Sequence, residues 1–170
     1  PLHRALVWQD RRTADRCAEL REQGHEEAVR AKTGLVLDPY FSATKIEWLL
    51  RNVDGLAQRA REGRAVFGTI DSWLLFKLCG EHVTEPTNAS RTLLLDIDSC
   101  EWDAELCELF GVPLESLPEV RPSCGELGRT RADALRVGIA ERRHERERRP
   151  EDGAEAVAVG FADGFGAREA

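Results

Sequence analysis

The chain has 170 residues, 42% of them apolar, which suits one folded domain with a single core and is too little for several complete ones. Its formal charge of -7 and pI of about 5.2 argue against general nucleic-acid binding, which needs a net basic face. No apolar run is long enough to cross a bilayer, and the first residues lack the basic-then-apolar order of a secretory signal, so a cytoplasmic setting without membrane contact is expected.

In chain order, "RALVW" (4–8) is a short apolar run that predicts a buried strand. Asp10 is placed to cap a helix through "RRTADRCAELREQG", with Gly24 as its C-terminal stop. A second helix is predicted over "HEEAVRAKT", ending at Gly34. Then comes "GLVLDPYFSATKIEWLL", a Pro-containing loop followed by a helix from Ser42 to Asn52, with Ile46, Leu49 and Leu50 at helical spacing. Ser42 is the expected N-cap, and Phe41 before it the expected hydrophobic staple. Tyr40 is left over, because a tyrosine in such a loop carries a hydroxyl that needs water or a polar partner.

A further helix, "GLAQRAREG", leads to "AVFGTI", whose β-branched and aromatic residues predict a strand entering the core. Asp71 or Ser72 is placed to cap "WLLFKLCG", a helix apolar on nearly all sides and therefore expected to be buried. "HVTEPTNASRTLLLDI" reads as two extended pieces around a polar turn at Pro86 and Asn88. "WDAELCELFG" is a helix with Asp103 at its first turn and Gly111 at its close. "VPLESLPEVRPSCGELGRT" has three prolines and reads as a connection with at most one strand, at its end. Helix and strand thus alternate, an α/β pattern.

From about Thr130 the composition changes to a mixed-charge run, "ERRHERERRPEDGAE", and an Ala- and Gly-rich end. Residues 131–170 are therefore expected to be a disordered or loosely helical tail that does not pack on the core.

Residue patterns alone identify no enzyme. There is no GxxxxGK[ST] loop, GxSxG elbow or HExxH, and His3, His25, His82 and His144 fall in unrelated contexts that predict surface positions. Cys17, Cys79, Cys100, Cys107 and Cys124 form no CxxC pair, which predicts free thiols over disulfides or a zinc site. The "GTID" turn offers helix amides to an anion, but Asp71 opposes one. Trp48, Trp73 and Trp102 read as packing residues.

"ALVWQDRRTA", "KTGLVLDPYFSATKIEWLL", "FGTIDSWLLFKL", "TNASRTLLLDID" and "LPEVRPS" resemble, in order and rough spacing, the FGGY family of carbohydrate kinases. The Trp8, Asp10, Arg12 element is shared widely among these sugar kinases, whereas "DPYFSATK", "GTIDSWL" and "TNASRT" are narrower and point to its glycerol kinases. The resemblance covers about 1–130 and implies part of an actin-like, ribonuclease-H-like N-terminal domain, incomplete here. It implies ATP-dependent phosphorylation of glycerol in the full-length enzyme, with Mg2+ as metal and homo-oligomers as the expected assembly. Carried over by motif, Trp8 is the apolar wall for the carbon side of the polyol and Tyr40 a hydrogen-bond partner for one hydroxyl. Asp10 and Arg12 are assigned structural roles around the helix start.

The family's phosphate loop and a glycerol-binding Arg-Glu pair would precede Pro1, and its catalytic Asp, in a "GDQQ" motif, would follow "LPEVRPS". Asp133 sits in no such motif and does not take that role, so no catalytic or metal-ligating residue is assigned and ATP is not expected to bind this chain well. The chain thus reads as an internal piece of such a kinase, its tail carrying the bias of a GC-rich reading frame that has slipped. The alternatives are a kinase of another small polyol or sugar, or a non-catalytic fragment.

Overall fold

The computed structural model describes residues 1–132, 134 and 155–158. Helices are α1 (Ala14–Glu22), α2 (Glu26–Thr33), α3 (Ser42–Asn52), α4 (Leu56–Arg61), α5 (Ile70–Cys79), α6 (Pro86–Ala89) and α7 (Ala104–Leu109). Strands are β1 (Ala65–Gly68), β2 (Val83–Thr84), β3 (Leu95–Asp96), β4 (Glu101–Trp102), β5 (Glu119–Val120) and β6 (Glu155–Ala158). They form three two-stranded pieces: β1 parallel to β6, β2 parallel to β5, and β3 antiparallel to β4, with Leu95 opposite Trp102.

The core lies between α3 and β1. Along α3, Ala43, Ile46 and Leu49 recur at helical spacing and are buried together with Leu20 of α1 and Val29 of α2. Ala65 and Phe67 of β1 are fully buried, as is Phe110 just past α7. Burial of each large apolar side chain contributes about 1.5–3 kcal/mol, so Phe67 and Phe110 weigh more than any surface ion pair. Helix α2 stops where expected, because Gly34 takes φ 69°, a left-handed conformation that costs other residues energy. At Gly68 the constraint is contact: a Cβ there would lie 2.7 Å from the Ser72 Cβ, so only glycine lets α5 turn back so closely on β1.

Several expectations are corrected. Residues 4–8 are not a strand; Leu6 makes one isolated bridge and the chain then turns, with the Asp10 N–H donating to the Val7 carbonyl at 3.1 Å. Asp10 does not cap α1, which starts at Ala14 behind Thr13, because its carboxylate is taken by Arg12. Ser42 is the first residue of α3 and makes no capping hydrogen bond; Phe41 holds the cap position. Helix α5 is not buried: Ile70 is 38%, Leu74 51% and Leu78 37% exposed, and among its residues Ser72 is the buried one. The segment between β2 and β3 is helical, since the Glu85 carboxylate caps Thr87 and Asn88 and starts α6. The strand in the proline-rich connection is β5, mid-segment, where backbone N–H groups of Glu119 and Arg121 donate to His82 and Thr84.

The tail expectation fails at Glu155–Ala158, which pair with all four residues of β1. There the backbone of Glu155–Ala158 runs parallel to β1, and ladder pairing satisfies the hydrogen-bonding groups of both strands. Asp133 and residues 135–154 and 159–170 lie outside the described residues.

Candidate functional site

Two loops, one on either side of α1 and α2, meet at the start of α3. The first carries Trp8. Its shape comes from Asp10, whose carboxylate accepts the Arg12 backbone N–H at 3.0 Å and the Arg12 guanidinium through both oxygens at 2.8–3.0 Å. The hydrogen bond from Arg12 holds the Asp10 carboxyl below the usual range, against a burial effect that pushes it up. The guanidinium also lies 4.3 Å from the Trp48 ring centroid, which ties this loop to α3. Asp10 and Arg12 are thus structural, in the loop before α1.

The second loop carries Tyr40. Asp38 folds it: its Oδ1 accepts the Tyr40 N–H at 2.8 Å and its carbonyl accepts the Phe41 N–H at 3.2 Å. Phe41 turns into the core, and Tyr40 stands edge-on to it with centroids 5.1 Å apart at 83°. The Arg91 guanidinium covers the Phe41 ring at 5.1 Å.

Trp8 and Tyr40 then come together, centroids 5.6 Å apart and planes tilted by 58°. The structure therefore places both sequence-predicted binding residues on one aromatic edge. The Trp8 indole N–H is buried and meets no acceptor among the described residues.

Beneath this edge α3 is anchored by polar contacts that sequence reading missed. The Thr13 and Thr44 hydroxyls meet at 2.9 Å, Arg16 Nε donates to both Glu47 oxygens at 3.0 Å, and Arg51 reaches Glu47 at 2.6 Å. Arg21 donates to the Leu37 carbonyl, and buried Lys45 donates to the Pro39 carbonyl. Burial pushes the Lys45 ammonium down from its ordinary pKa, opposed by the charges of Asp10, Cys17 and Asp38. Lys45 sits inside "SATK" on a helix whose other residues gave the stronger signal, and nothing in the local pattern marks it as buried. Arg91, in "TNASRT", is exposed, and its seat over Phe41 depends on a contact no spacing predicts.

The remaining candidates resolve structurally. At the "GTID" turn the Asp71 carboxylate accepts the Thr69 hydroxyl and, at 2.6 Å, that of Thr84, so a carboxylate already faces the first turn of α5. His82 is tied at 2.8 Å to the Phe67 carbonyl, and burial pushes its imidazole pKa down. Trp48 and Trp102 pack against the core, Trp102 donating to the Pro118 carbonyl at 2.6 Å, while Trp73 lies under Lys77. All five cysteines are free thiols. Among the described residues no helix is long and apolar enough to cross a membrane. No group of three or more His, Cys, Asp or Glu side chains among them is arranged to hold a metal ion.

Residues 1–142 match the model of the FGGY family of carbohydrate kinases, N-terminal domain. The chain is 59% identical over 141 residues to a glycerol kinase of Geobacter sp. (strain M21), covering 82% of this chain and 28% of that protein. It is 58% identical over 132 residues to a glycerol kinase of Thermus brockianus, covering 76% and 27%. Among solved structures, Plasmodium falciparum glycerol kinase with ADP superposes with a TM-score of 0.74 at 34% identity, over 81% of this chain and 28% of that one. A xylulose kinase from Lactobacillus acidophilus superposes at 0.67 with 22% identity over 77% and 26%, a likeness of fold alone. The chain spans little more than a quarter of the length of the relatives it matches, 27–28% for these two curated glycerol kinases.

Proposed function

Since the chain belongs to the FGGY family of carbohydrate kinases and carries part of its actin-like fold, we propose that it is the polyol-holding portion of a glycerol kinase. The whole enzyme would transfer the γ-phosphate of ATP to glycerol: a terminal hydroxyl oxygen bonds to the γ-phosphorus, the bond to the β-phosphate oxygen breaks, and ADP, glycerol 3-phosphate and a proton leave. The identity of 52–59% with glycerol kinases supports glycerol over other family substrates. The observation that carries the reading is the meeting of Trp8 and Tyr40 at 5.6 Å.

In this reading the Trp8 face shields the C–H edge of the polyol while the Tyr40 hydroxyl pairs with one of its oxygens. Asp10 and Asp38 shape the two loops that present these rings. ATP and a divalent metal supply the phosphoryl group and its charge neutralisation in the family. The described residues do not form a site that fits the metal, so no step through it is assigned to them.

The test is a glycerol titration of this chain followed by NMR. Tyr40 is its single tyrosine, so its ring signals are unambiguous. Shifts centred on Tyr40 and the Trp8 indole are expected. Unchanged Tyr40 and Trp8 signals, or shifts elsewhere alone, would overturn the polyol reading.

A further inference from the structure

An ammonium group is costly to take out of water, and α3 buries one directly beneath the Tyr40 loop. Lys45 is 1% exposed. Its Nζ donates to the Pro39 carbonyl, its one hydrogen bond among the described residues, although an ammonium has three N–H donors. It makes no ion pair among them; Asp10, Cys17 and Asp38 favour its charge from further away, and Arg12 opposes it. A fold needing only volume here would be served as well or better by methionine. The anchoring of α3 to α1 is already carried by Thr44 with Thr13 and by Glu47 with Arg16.

The two carboxylates that Lys45 senses are the ones that shape the aromatic loops. Asp10 folds the turn that presents Trp8, and Asp38 folds the turn that presents Tyr40. Pro39, whose carbonyl Lys45 holds, is the residue between Asp38 and Tyr40. We propose that Lys45 is the positioning residue of the polyol pocket, holding the Pro39–Tyr40 turn against α3 by its hydrogen bond and so setting where Tyr40 meets Trp8. The functional weight of this role rests on the polyol reading above; the structural part stands without it.

Without the ammonium the Pro39 carbonyl loses the donor that seats the Tyr40 turn on α3, while Asp10 keeps its pairing with Arg12. The ring contact is then expected to loosen while the hydrophobic core stays in place.

The experiment compares the wild-type chain with Lys45→Met and Lys45→Arg by NMR. In wild type, cross-relaxation between the Tyr40 ring and the Trp8 indole is expected. Lys45→Met is expected to lose those cross-peaks and to need about tenfold more glycerol for the same shifts, as small misplacements of binding groups do. The Trp102 indole signal, which reports its bond to Pro118, should not move. Lys45→Arg keeps a charged donor and should recover the Trp8–Tyr40 cross-peaks. Retention of those cross-peaks in Lys45→Met overturns the proposal, as does a folded Lys45→Arg that recovers none of them. Unfolding of both variants also overturns it, because Lys45 would then hold the core and not the loops. A wild-type chain with the cross-peaks but no glycerol response overturns the polyol reading instead, and the ring contact in the variants still decides the role of Lys45.

Discussion

The Ser123 hydroxyl donates to the Glu85 carboxylate at 2.6 Å, joining the loop after β5 to the start of α6 across 38 positions of sequence. The same carboxylate accepts from the Thr87 and Asn88 backbone N–H groups and from both of their side chains. Burial alone would push the Glu85 pKa up, but the hydrogen bonds from Ser123, Thr87 and Asn88 outweigh it and leave the value at about 2.

Because that folded value lies below the ordinary 4.5, Glu85 stabilises the fold fully above pH 4.5 and loses its contribution as pH falls from there through about 2. The amount is on the order of 2–3 kcal/mol. Chemical denaturation at stepped pH should show this loss in wild type and a flatter acid limb in Glu85→Gln. Equal acid slopes in the two proteins would count against the assignment.

For the candidate pocket, Tyr40→Phe in a relative-length enzyme built around this segment should weaken glycerol binding by about 0.5–1.5 kcal/mol, one neutral hydrogen bond. Its melting temperature should hardly change, since the ring that meets Trp8 and Phe41 is kept. Trp8→Ala should do more harm to both, as it removes the apolar wall and its packing. Unaltered glycerol affinity and rate in Tyr40→Phe would return Tyr40 to a packing role.

The chain by itself should give no glycerol-dependent ADP release in a coupled assay. It spans 27–28% of two of its curated glycerol kinase relatives, and its described residues form no metal site. Phosphoryl transfer draws its rate from positioned phosphates, metal and hydroxyl together, so losing any one costs orders of magnitude. Turnover above background would refute this.

Leu74 and Phe67 offer a contrast in stability. Leu74, 51% exposed on α5, should tolerate Leu74→Ser with a change within about 0.5 kcal/mol. Phe67, fully buried in β1, should cost about 3–5 kcal/mol as Phe67→Ala. Denaturation midpoints of the two variants test both, and a large loss in Leu74→Ser would mean that α5 is covered.

The thiols should separate by reactivity. Burial pushes Cys107 up to about 12 and raises Cys17 as well, whereas Cys100 and Cys124 are exposed. With a disulfide reagent at about pH 8, the exposed pair should react promptly and the buried pair only on unfolding, since the thiolate is the reacting form. Prompt labelling of Cys107 in the folded chain would contradict its burial.

What the sequence determined by itself is local. The helix α3 itself follows from Ile46, Leu49 and Leu50 at helical spacing, and the end of α2 from Gly34, because helical periodicity and left-handed backbone are written in neighbouring residues. The pairing of Trp8 with Tyr40 was legible through the family resemblance of their motifs, not through any spacing. The tertiary structure decided which partner each polar group takes and which apolar face is covered. Asp10 could have capped α1, yet Arg12 returns to it from two residues away. The α5 segment, apolar all round, looks the same in sequence whether or not a neighbour covers Leu74. Lys45 reads as an ordinary helical lysine until the Pro39 carbonyl folds over it, because burial of a charge depends on atoms that only the assembled loops bring within reach.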